Sequence, residues 1–237
     1  MRPYDLTSKR QGFTLVEMTV VMVIVGLMLG GLMIPLSGQM DQRNYSKAQA
    51  DMNEVREALI GYALANGHLP CPAISVADGR EDRTGTTCTS NKRAGFLPWA
   101  ELGVPKLDSW GHLYRYSVTP AYSNSGTKIS FSNVGDITIR SRDNTGASIK
   151  LTNEPGVPAV IISFGKNGRH GFNSDGSQVP DTSATNIDED SNANGTTEFF
   201  SRDYSEATTG GGEFDDAVVW ISPNVYFHRM VTAGQLP

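Results

Sequence analysis

The chain has 237 residues, a length that suits one ordinary globular domain with accessory segments. Its formal net charge is -5 and its pI is about 5.4, so it lacks the broad basic field that recruits nucleic acid or an anionic membrane surface. Composition therefore argues against a dedicated nucleic-acid-binding protein. We expect one soluble domain behind an apolar N-terminal segment.

The N-terminal segment "KRQGFTLVEMTVVMVIVGLMLGGLMIP" is apolar over a membrane-spanning length. From Phe13 to Leu36 it exceeds the roughly 20 residues that a helix needs to cross a bilayer. Three basic residues precede it: Arg2, Lys9 and Arg10. The positive-inside rule then predicts a cytoplasmic N-terminus, with the remainder of the chain across the membrane.

Glu17 is the feature of this segment that needs a reason, because a charge inside a membrane helix costs about 2.5–3.5 kcal/mol. A cleavable secretory signal is one interpretation. The apolar core is longer than the roughly 7–15 residues of such signals, and no A-x-A cleavage site follows it. A plain signal anchor, the second interpretation, explains the length but not the carboxylate.

The third interpretation is a resemblance. The stretch "KRQGFTLVEMTVVMVIVGLM" resembles the N-terminus of type IV prepilins and type II secretion pseudopilins: a basic leader ending in Gly12, then Phe13, then a carboxylate at Glu17. The resemblance implies that prepilin peptidase cuts after Gly12, that Phe13 becomes the N-methylated first residue, and that Glu17 neutralises the N-terminal amine of a neighbouring subunit. The partners it implies are that peptidase, an assembly platform with its motor ATPase, and other pilin-like subunits.

Four segments are predicted: a leader (1–12), a transmembrane and filament-core helix (13–36), an amphipathic helix continuing into the periplasm (37–67), and a periplasmic globular α+β domain (68–237). The amphipathic helix shows one apolar stripe at spacings of three and four, formed by Tyr45, Ala48, Met52, Val55, Leu59 and Tyr62. The predicted fold class is α+β and pilin-like: a long N-terminal helix packed on an antiparallel sheet, with irregular disulfide and acidic loops.

Several short segments after residue 107 are predicted strands. "KISFS", "DITIRS" and "ASIKL" alternate in polarity, and "RDNTG" predicts a hairpin turn between the last two. "PAVIISFG" is the best candidate for a central strand and "DDAVVWIS" for a second buried strand. Ser222 followed by Pro223 predicts the start of a C-terminal helix. "KLDSWGHLYRY" resembles the D-P-W-G-x-x-Y-x-Y stretch of major pseudopilins, with Ser109 where proline is usual.

The two cysteines, Cys71 and Cys88, lie close together in a loop-like region. In a domain outside the cytoplasm such a pair is expected to form a disulfide, which stabilises by about 3 kcal/mol in the chain-entropy model. Two free thiols are the alternative. A zinc site is disfavoured because there is no second cysteine pair and the four histidines are scattered in the sequence.

The stretch 172–216 is predicted as a long acidic loop that binds calcium, which prefers clustered oxygen ligands. "DSNANG" matches the D-x-N-x-N-G opening of a calcium loop, which predicts Asp190, Asn192 and Asn194 as ligands. The glutamate that ends an EF-hand loop is missing. The resemblance to major pseudopilins, in which a calcium ion pins this loop, instead implies Asp215 or Asp216. A solvated loop without a metal is the alternative.

The sequence contains no G-x-S-x-G, H-E-x-x-H or C-G-x-C-W motif and no Walker or dinucleotide-binding pattern, so we predict that the protein is not an enzyme. We predict a structural subunit of a type IV pilus or a type II secretion pseudopilus. The alternative is an uncleaved, membrane-anchored periplasmic protein that binds a ligand or DNA.

Overall fold

The computed structural model describes residues 12–153 and 155–236, and for residues 30–38 it describes the backbone alone. The chain divides into two compact units at the boundary between Arg43 and Asn44. Most of the predicted leader, residues 1–11, lies outside the described residues.

The helices are α1 (Leu15–Asn66), α2 (Trp99–Leu102), α3 (Pro120–Ser123), α4 (Ile187–Asn194) and α5 (Pro223–Thr232), and Thr89–Asn91 forms a 3-10 turn. The strands are β1 (Arg83–Thr84), β2 (Thr87–Cys88), β3 (Ala94–Phe96), β4 (Arg115–Val118), β5 (Thr138–Arg142), β6 (Ser148–Lys150), β7 (Ala159–Ser163), β8 (Glu198–Phe200) and β9 (Ala217–Trp220).

The C-terminal part of α1 is amphipathic, as predicted. Ala48, Met52, Val55 and Leu59 are fully buried because their spacing of three and four residues places them on one face of the helix. The helix ends at Asn66, and Gly67 follows with a φ of +77°, a left-handed conformation that glycine adopts without steric strain.

The main sheet has the strand order β3-β4-β7-β9, and every pairing is antiparallel. β7 is a central strand, as its apolar run predicts, and all five of its residues are buried. Alternate residues serve different cores: Ile161 packs in the cluster that includes Met52 and Leu59 of α1, whereas Val160 and Ile162 pack in a second cluster. The predicted packing of the helix on an antiparallel sheet is therefore confirmed.

A second sheet, with the order β6-β5-β8, supplies the other side of that second cluster through Ile139 and Phe199. The hairpin predicted around "RDNTG" is confirmed as β5 and β6. β5 also pairs with β8 in parallel, so the prediction of a purely antiparallel fold is wrong in this sheet. Because β8 and α4 both come from the stretch 172–216, that stretch is not the irregular loop that we predicted.

The predicted strand "KISFS" is absent: residues 128–130 are irregular, and residues 131 and 132 form a turn. Asn133 explains the difference because its side chain competes for the backbone groups that a strand would need. Its Oδ1 accepts a hydrogen bond from the backbone N–H of Ser130 at 2.9 Å, and its Nδ2 donates to the carbonyl of Ala121 at 2.7 Å.

The predicted disulfide between Cys71 and Cys88 is present, with the two Cα atoms 5.3 Å apart. It joins the chain just after α1 to β2, which forms a short antiparallel hairpin with β1. The bridge thereby closes a covalent loop in the segment that follows α1, within the globular unit.

Among the described residues, no helix combines the length and the apolar character needed to cross a membrane. The predicted membrane segment, 13–36, runs into residues 30–38, whose side chains lie outside the described part of the chain. The transmembrane segment therefore stays a prediction.

Candidate functional site

The predicted processing and assembly residues lie at the start of α1. Thr14 immediately precedes the helix, and Glu17 is its third residue. Glu17 Oε2 accepts hydrogen bonds from the backbone N–H and the hydroxyl of Thr14, both at 2.8 Å. In return, Thr14 Oγ1 accepts a hydrogen bond from the backbone N–H of Glu17 at 3.3 Å. This is a capping box, and the pattern T-x-x-E from Thr14 to Glu17 is its signature in the sequence.

The predicted cleavage position is accessible in the single chain. Phe13 is 83% exposed, and Gly12 is exposed and has no atom within 4 Å of the position that a Cβ would take. A peptidase would therefore meet no steric obstacle from the described part of this chain. Glu17 thus combines two features, an exposed carboxylate close to the predicted new N-terminus and a local role in starting the helix.

The calcium loop predicted from "DSNANG" does not form, because these residues lie in or directly after α4. Residues two apart on a helix point to opposite sides of its axis, so Asp190, Asn192 and Asn194 do not converge on one ion. Asn192 has a different role: its amide donates hydrogen bonds to the carbonyl of Phe200 and to Asp216. The loop conformation that this ligand set requires is therefore wrong, because these residues belong to a helix.

The other two predicted ligands, Asp215 and Asp216, do lie together, and the structure adds Glu189 to them. One carboxylate oxygen from each residue lies within 4.8 Å of the other two. We call these three residues the carboxylate cluster. Glu189 is 1% exposed and Asp216 is 5% exposed, so the cluster holds carboxylates that are almost completely withdrawn from water.

The hydrogen bonds to the carboxylate cluster are incomplete. Glu189 Oε1 accepts from the backbone N–H of Asp215 at 2.9 Å and from the amide of Asn167 at 3.1 Å. Asp215 Oδ2 accepts from the backbone N–H of Asn167, and Asp216 Oδ2 from Asn192. Glu189 Oε2 accepts from the amide of Asn186 at 3.2 Å. Two oxygens, Asp215 Oδ1 and Asp216 Oδ1, are buried without a hydrogen-bond partner in the described residues.

Burial dominates the electrostatics of the carboxylate cluster. Burial, aided by the negative charge of Glu189, raises the pKa of Asp215 to about 7. Burial and then the charge of Glu189 also raise the pKa of Asp216 well above its ordinary value. Arg169 lies only at the edge of ion-pair distance, with its Nη1 atom 4.0 Å from Glu189 Oε2.

This donor set fits calcium, the ion that the sequence predicts. Calcium takes six to eight oxygen ligands, and carboxylates are its preferred side-chain donors. Two buried, unpartnered carboxylate oxygens are unfavourable unless a cation meets them. If the ion binds, Glu189, Asp215 and Asp216 are the side chains that would hold it. Sequence reasoning missed Glu189 because only the fold brings α4 next to the start of β9.

The motif "KLDSWGHLYRY" forms a turn that is organised by Asp108. Its Oδ1 accepts hydrogen bonds from the backbone N–H groups of Trp110 and His112, both at 2.9 Å, and its Oδ2 accepts one from the hydroxyl of Ser163 at 2.6 Å. Tyr114 is buried in the core that α1 helps to form. The turn forms with serine at position 109, where proline is usual. Because Tyr114 is a core residue, the motif contributes to packing.

Comparison with known proteins identifies one family. Residues 7–33 match the family model described as "Prokaryotic N-terminal methylation motif". Type II secretion system core protein G of Escherichia coli is 42% identical over 65 residues, which is 27% of this chain and 44% of that protein. The corresponding protein of Pseudomonas aeruginosa is 30% identical over 112 residues, which is 46% of this chain and 73% of that protein. The chain belongs to the type II secretion pseudopilin family.

A third pseudopilin, type II secretion system core protein G of Vibrio cholerae, is 29% identical over 108 residues, covering 46% of this chain and 70% of that protein. No solved structure matches the chain. As a member of this family the pseudopilin is a structural protein. The aligned part makes up less than half of the chain in each case.

Proposed function

We propose that this protein is a structural subunit of a type II secretion pseudopilus, processed after Gly12 and assembled through its N-terminal helix. The observation that carries the proposal is the leader, Gly12, Phe13 and Glu17 pattern inside the matched range 7–33. Before processing, the protein would be anchored in the inner membrane, with its globular domain in the periplasm. Its partners would be prepilin peptidase, the secretion machinery with its motor ATPase, and other pseudopilins.

The exposed surface of α1 supports assembly through this helix. Apolar side chains between Phe13 and Leu29 are mostly half or more exposed in the single chain, including Met22 at 76% and Leu27 at 72%. Such a surface requires lipid or neighbouring helices to cover it. A subunit that moves from a membrane into a filament meets both environments.

The first test is the intact mass of the protein purified from its native membranes. We expect a chain that begins at N-methylated Phe13. Gly12→Val is expected to abolish processing, and Gly26→Val is a matched control because an added Cβ meets nothing within 4 Å at either glycine. A wild-type chain that still begins at Met1 would contradict the proposal and favour an uncleaved anchored binding protein.

A second test separates the charge of Glu17 from its capping role. Glu17→Gln keeps an acceptor for Thr14 but removes the charge, since glutamine also serves in capping boxes. We expect this variant to be processed normally and to be absent from filaments. Thr14→Val removes the hydroxyl of the capping box but keeps the charge, and we expect it to assemble. If Glu17→Gln assembles as well as the wild type, the charge has no role in assembly.

We further propose that calcium binds at the carboxylate cluster and holds α4 against the segment that leads into β9. The incomplete hydrogen bonding and the raised pKa values support this proposal. Calcium titration of the full chain by calorimetry tests it: we expect one site in the wild type and none in Asp216→Asn. If Asp216→Asn binds calcium with the same heat as the wild type, the ion binds at another place in the protein.

A further inference from the structure

A second group of metal-ligating side chains lies outside the carboxylate cluster. It consists of His170, Asp181 and Asp190, with one ligand atom of each within 4.8 Å of the other two. We call it the histidine–aspartate cluster. His170 Nε2 lies 2.5 Å from Asp190 Oδ1 and 3.3 Å from Asp181 Oδ2. Two carboxylates therefore face one and the same ring nitrogen.

The Nε2 atom of His170 has either one proton or one lone pair, so the two carboxylates compete for a single hydrogen bond there. A divalent cation resolves this arrangement because it accepts the nitrogen lone pair and both carboxylate oxygens together. In a tetrahedral zinc site with bonds of about 2.0–2.1 Å, ligand atoms lie roughly 3.3–3.4 Å apart.

The separation of His170 Nε2 and Asp181 Oδ2 already equals this ligand spacing. Asp190 must withdraw by somewhat less than 1 Å, as a rough estimate from the same spacing. Its side chain is free to do so because it is 46% exposed, whereas those of His170 and Asp181 are 17% and 19% exposed. The site thus has two ligands held inside the protein and one adjustable ligand at its mouth.

The surrounding hydrogen bonds orient Asp181 towards the histidine. Its Oδ1 accepts from the backbone N–H of Ser183 at 2.9 Å and from the amide of Asn186 at 3.2 Å, which leaves Oδ2 for His170. The backbone of His170 is itself held by a hydrogen bond from its N–H to the carbonyl of Val179. Outer hydrogen bonds that fix ligand orientation in this way are typical of metal sites.

We propose that the histidine–aspartate cluster binds a divalent transition-metal ion of the zinc type and so links the segment containing His170 and Asp181 to α4. Imidazole nitrogen with carboxylate oxygen suits zinc, whereas calcium takes oxygen ligands alone. Three protein ligands leave a fourth position for water. Although Glu189 and Asp190 are consecutive, their side chains belong to different clusters, so the two ions would occupy separate sites. This inference does not depend on the function proposed above.

The experiment uses the full chain in detergent, stripped of metal and then equilibrated with zinc in the presence of excess calcium. Zinc bound per chain is measured by elemental analysis after dialysis. We expect one zinc ion per wild-type chain, and at least a tenfold loss of affinity in His170→Gln and in Asp190→Asn. His228→Gln and Asp203→Asn are matched controls at exposed positions, and we expect wild-type binding from both.

Cobalt provides a second readout, because its visible absorption reports an ordered tetrahedral nitrogen and oxygen site. We expect this absorption in the wild type and in Asp203→Asn, and its loss in Asp190→Asn. If His170→Gln fails to fold, the exposed Asp190→Asn decides the matter by itself. The proposal is overturned if wild-type chains retain no zinc beside calcium, or if Asp190→Asn and a folded His170→Gln bind zinc as tightly as the wild type.

Discussion

Asp188 and Glu189 are consecutive residues of α4, and both are buried, yet their charges have opposite surroundings. Asp188 meets two guanidinium groups: Arg142 Nη2 lies 2.6 Å from its Oδ1, and Arg202 Nε lies 2.8 Å from its Oδ2. Glu189 instead faces two further carboxylates, Asp215 and Asp216. Cationic groups therefore surround Asp188, whereas further anionic groups surround Glu189 in the same helix.

The difference separates a self-sufficient ion cluster from an incomplete one. Arg142, Asp188 and Arg202 stabilise each other within the chain, so their contribution needs nothing from solution. The carboxylate cluster gains its missing positive charge only from a bound cation. Consequently, removal of an acid from the first cluster should weaken the protein, while the same change in the second should strengthen the metal-free protein.

The largest effect is expected for Asp188→Ala. It leaves Arg142 and Arg202, which are 21% and 10% exposed, without their shared anion. Breaking such a buried pair costs about 3–5 kcal/mol in the free energy of unfolding. Urea unfolding of the full chain measures the loss, and Asp203→Ala is the exposed control. If Asp188→Ala is as stable as Asp203→Ala, the ion pairs of Asp188 do not stabilise the protein, and Asp188 does not differ from Glu189 in the way described.

Calcium should then stabilise the wild type. An ion that binds only the folded chain raises the free energy of unfolding by about 2.7 kcal/mol at 100 times its dissociation constant. Urea unfolding with and without calcium measures this gain, and we expect none in Asp216→Asn. A calcium gain of the same size in both proteins would show that Asp216 does not hold the ion.

In calcium-free buffer, Asp216→Asn should be more stable than the wild type by about 1–2 kcal/mol, because it removes a buried acidic group whose Oδ1 atom has no hydrogen-bond partner. The new amide still offers an oxygen to Asn192, which now donates to Asp216 Oδ2 at 2.9 Å. Asp188→Asn, measured beside it, should have the opposite sign. If Asp216→Asn and Asp188→Asn both lower the free energy of unfolding, the carboxylate cluster is as well balanced in charge as the group around Asp188.

The smallest effect is a dependence on pH. Because the folded pKa of Asp215 is about 7 against an ordinary 3.8, the folded chain retains a proton that the unfolded chain has released. This contribution to stability is therefore complete below the ordinary pKa and is lost as pH rises through the folded value. Without calcium we expect a loss of about 1 kcal/mol between pH 6 and pH 7.

The control for the pH experiment is Asp215→Asn, followed by urea unfolding at the same pH values. Its free energy of unfolding should change less over this interval than that of the wild type. Saturating calcium should also reduce the wild-type slope, since the ion favours the charged carboxylate. Parallel slopes for wild type and variant would show that Asp215 is already ionised at pH 6.

Local pattern was sufficient to predict much of the fold. The apolar stripe through Met52 and Leu59, the buried strand "PAVIISFG", the hairpin at "RDNTG" and the stop at Gly67 each depend on residues a few positions apart. The same holds for the motif around Gly12, Phe13 and Glu17, which the family match covers. The disulfide between Cys71 and Cys88 follows from cysteine spacing and the predicted export.

Local pattern misled where side chains compete for the backbone or where distant segments meet. The segment "DSNANG" has the letters of a calcium loop, but it forms the end of a helix that Arg142 and Arg202 hold through Asp188. Asp190 then joins His170 and Asp181, whereas Glu189 joins Asp215 and Asp216. No spacing rule assigns two consecutive acids to two different clusters.

The sequence by itself thus determined the class of protein, the start and amphipathic face of α1, the central strand and the disulfide. Each of these depends on covalent neighbours, on a helical or strand period, or on a motif of residues that lie close together in the sequence. Only the tertiary structure decided which carboxylates lack partners and which donors surround His170. These properties depend on burial and on contacts between segments up to tens of residues apart, and a linear pattern contains no information on either.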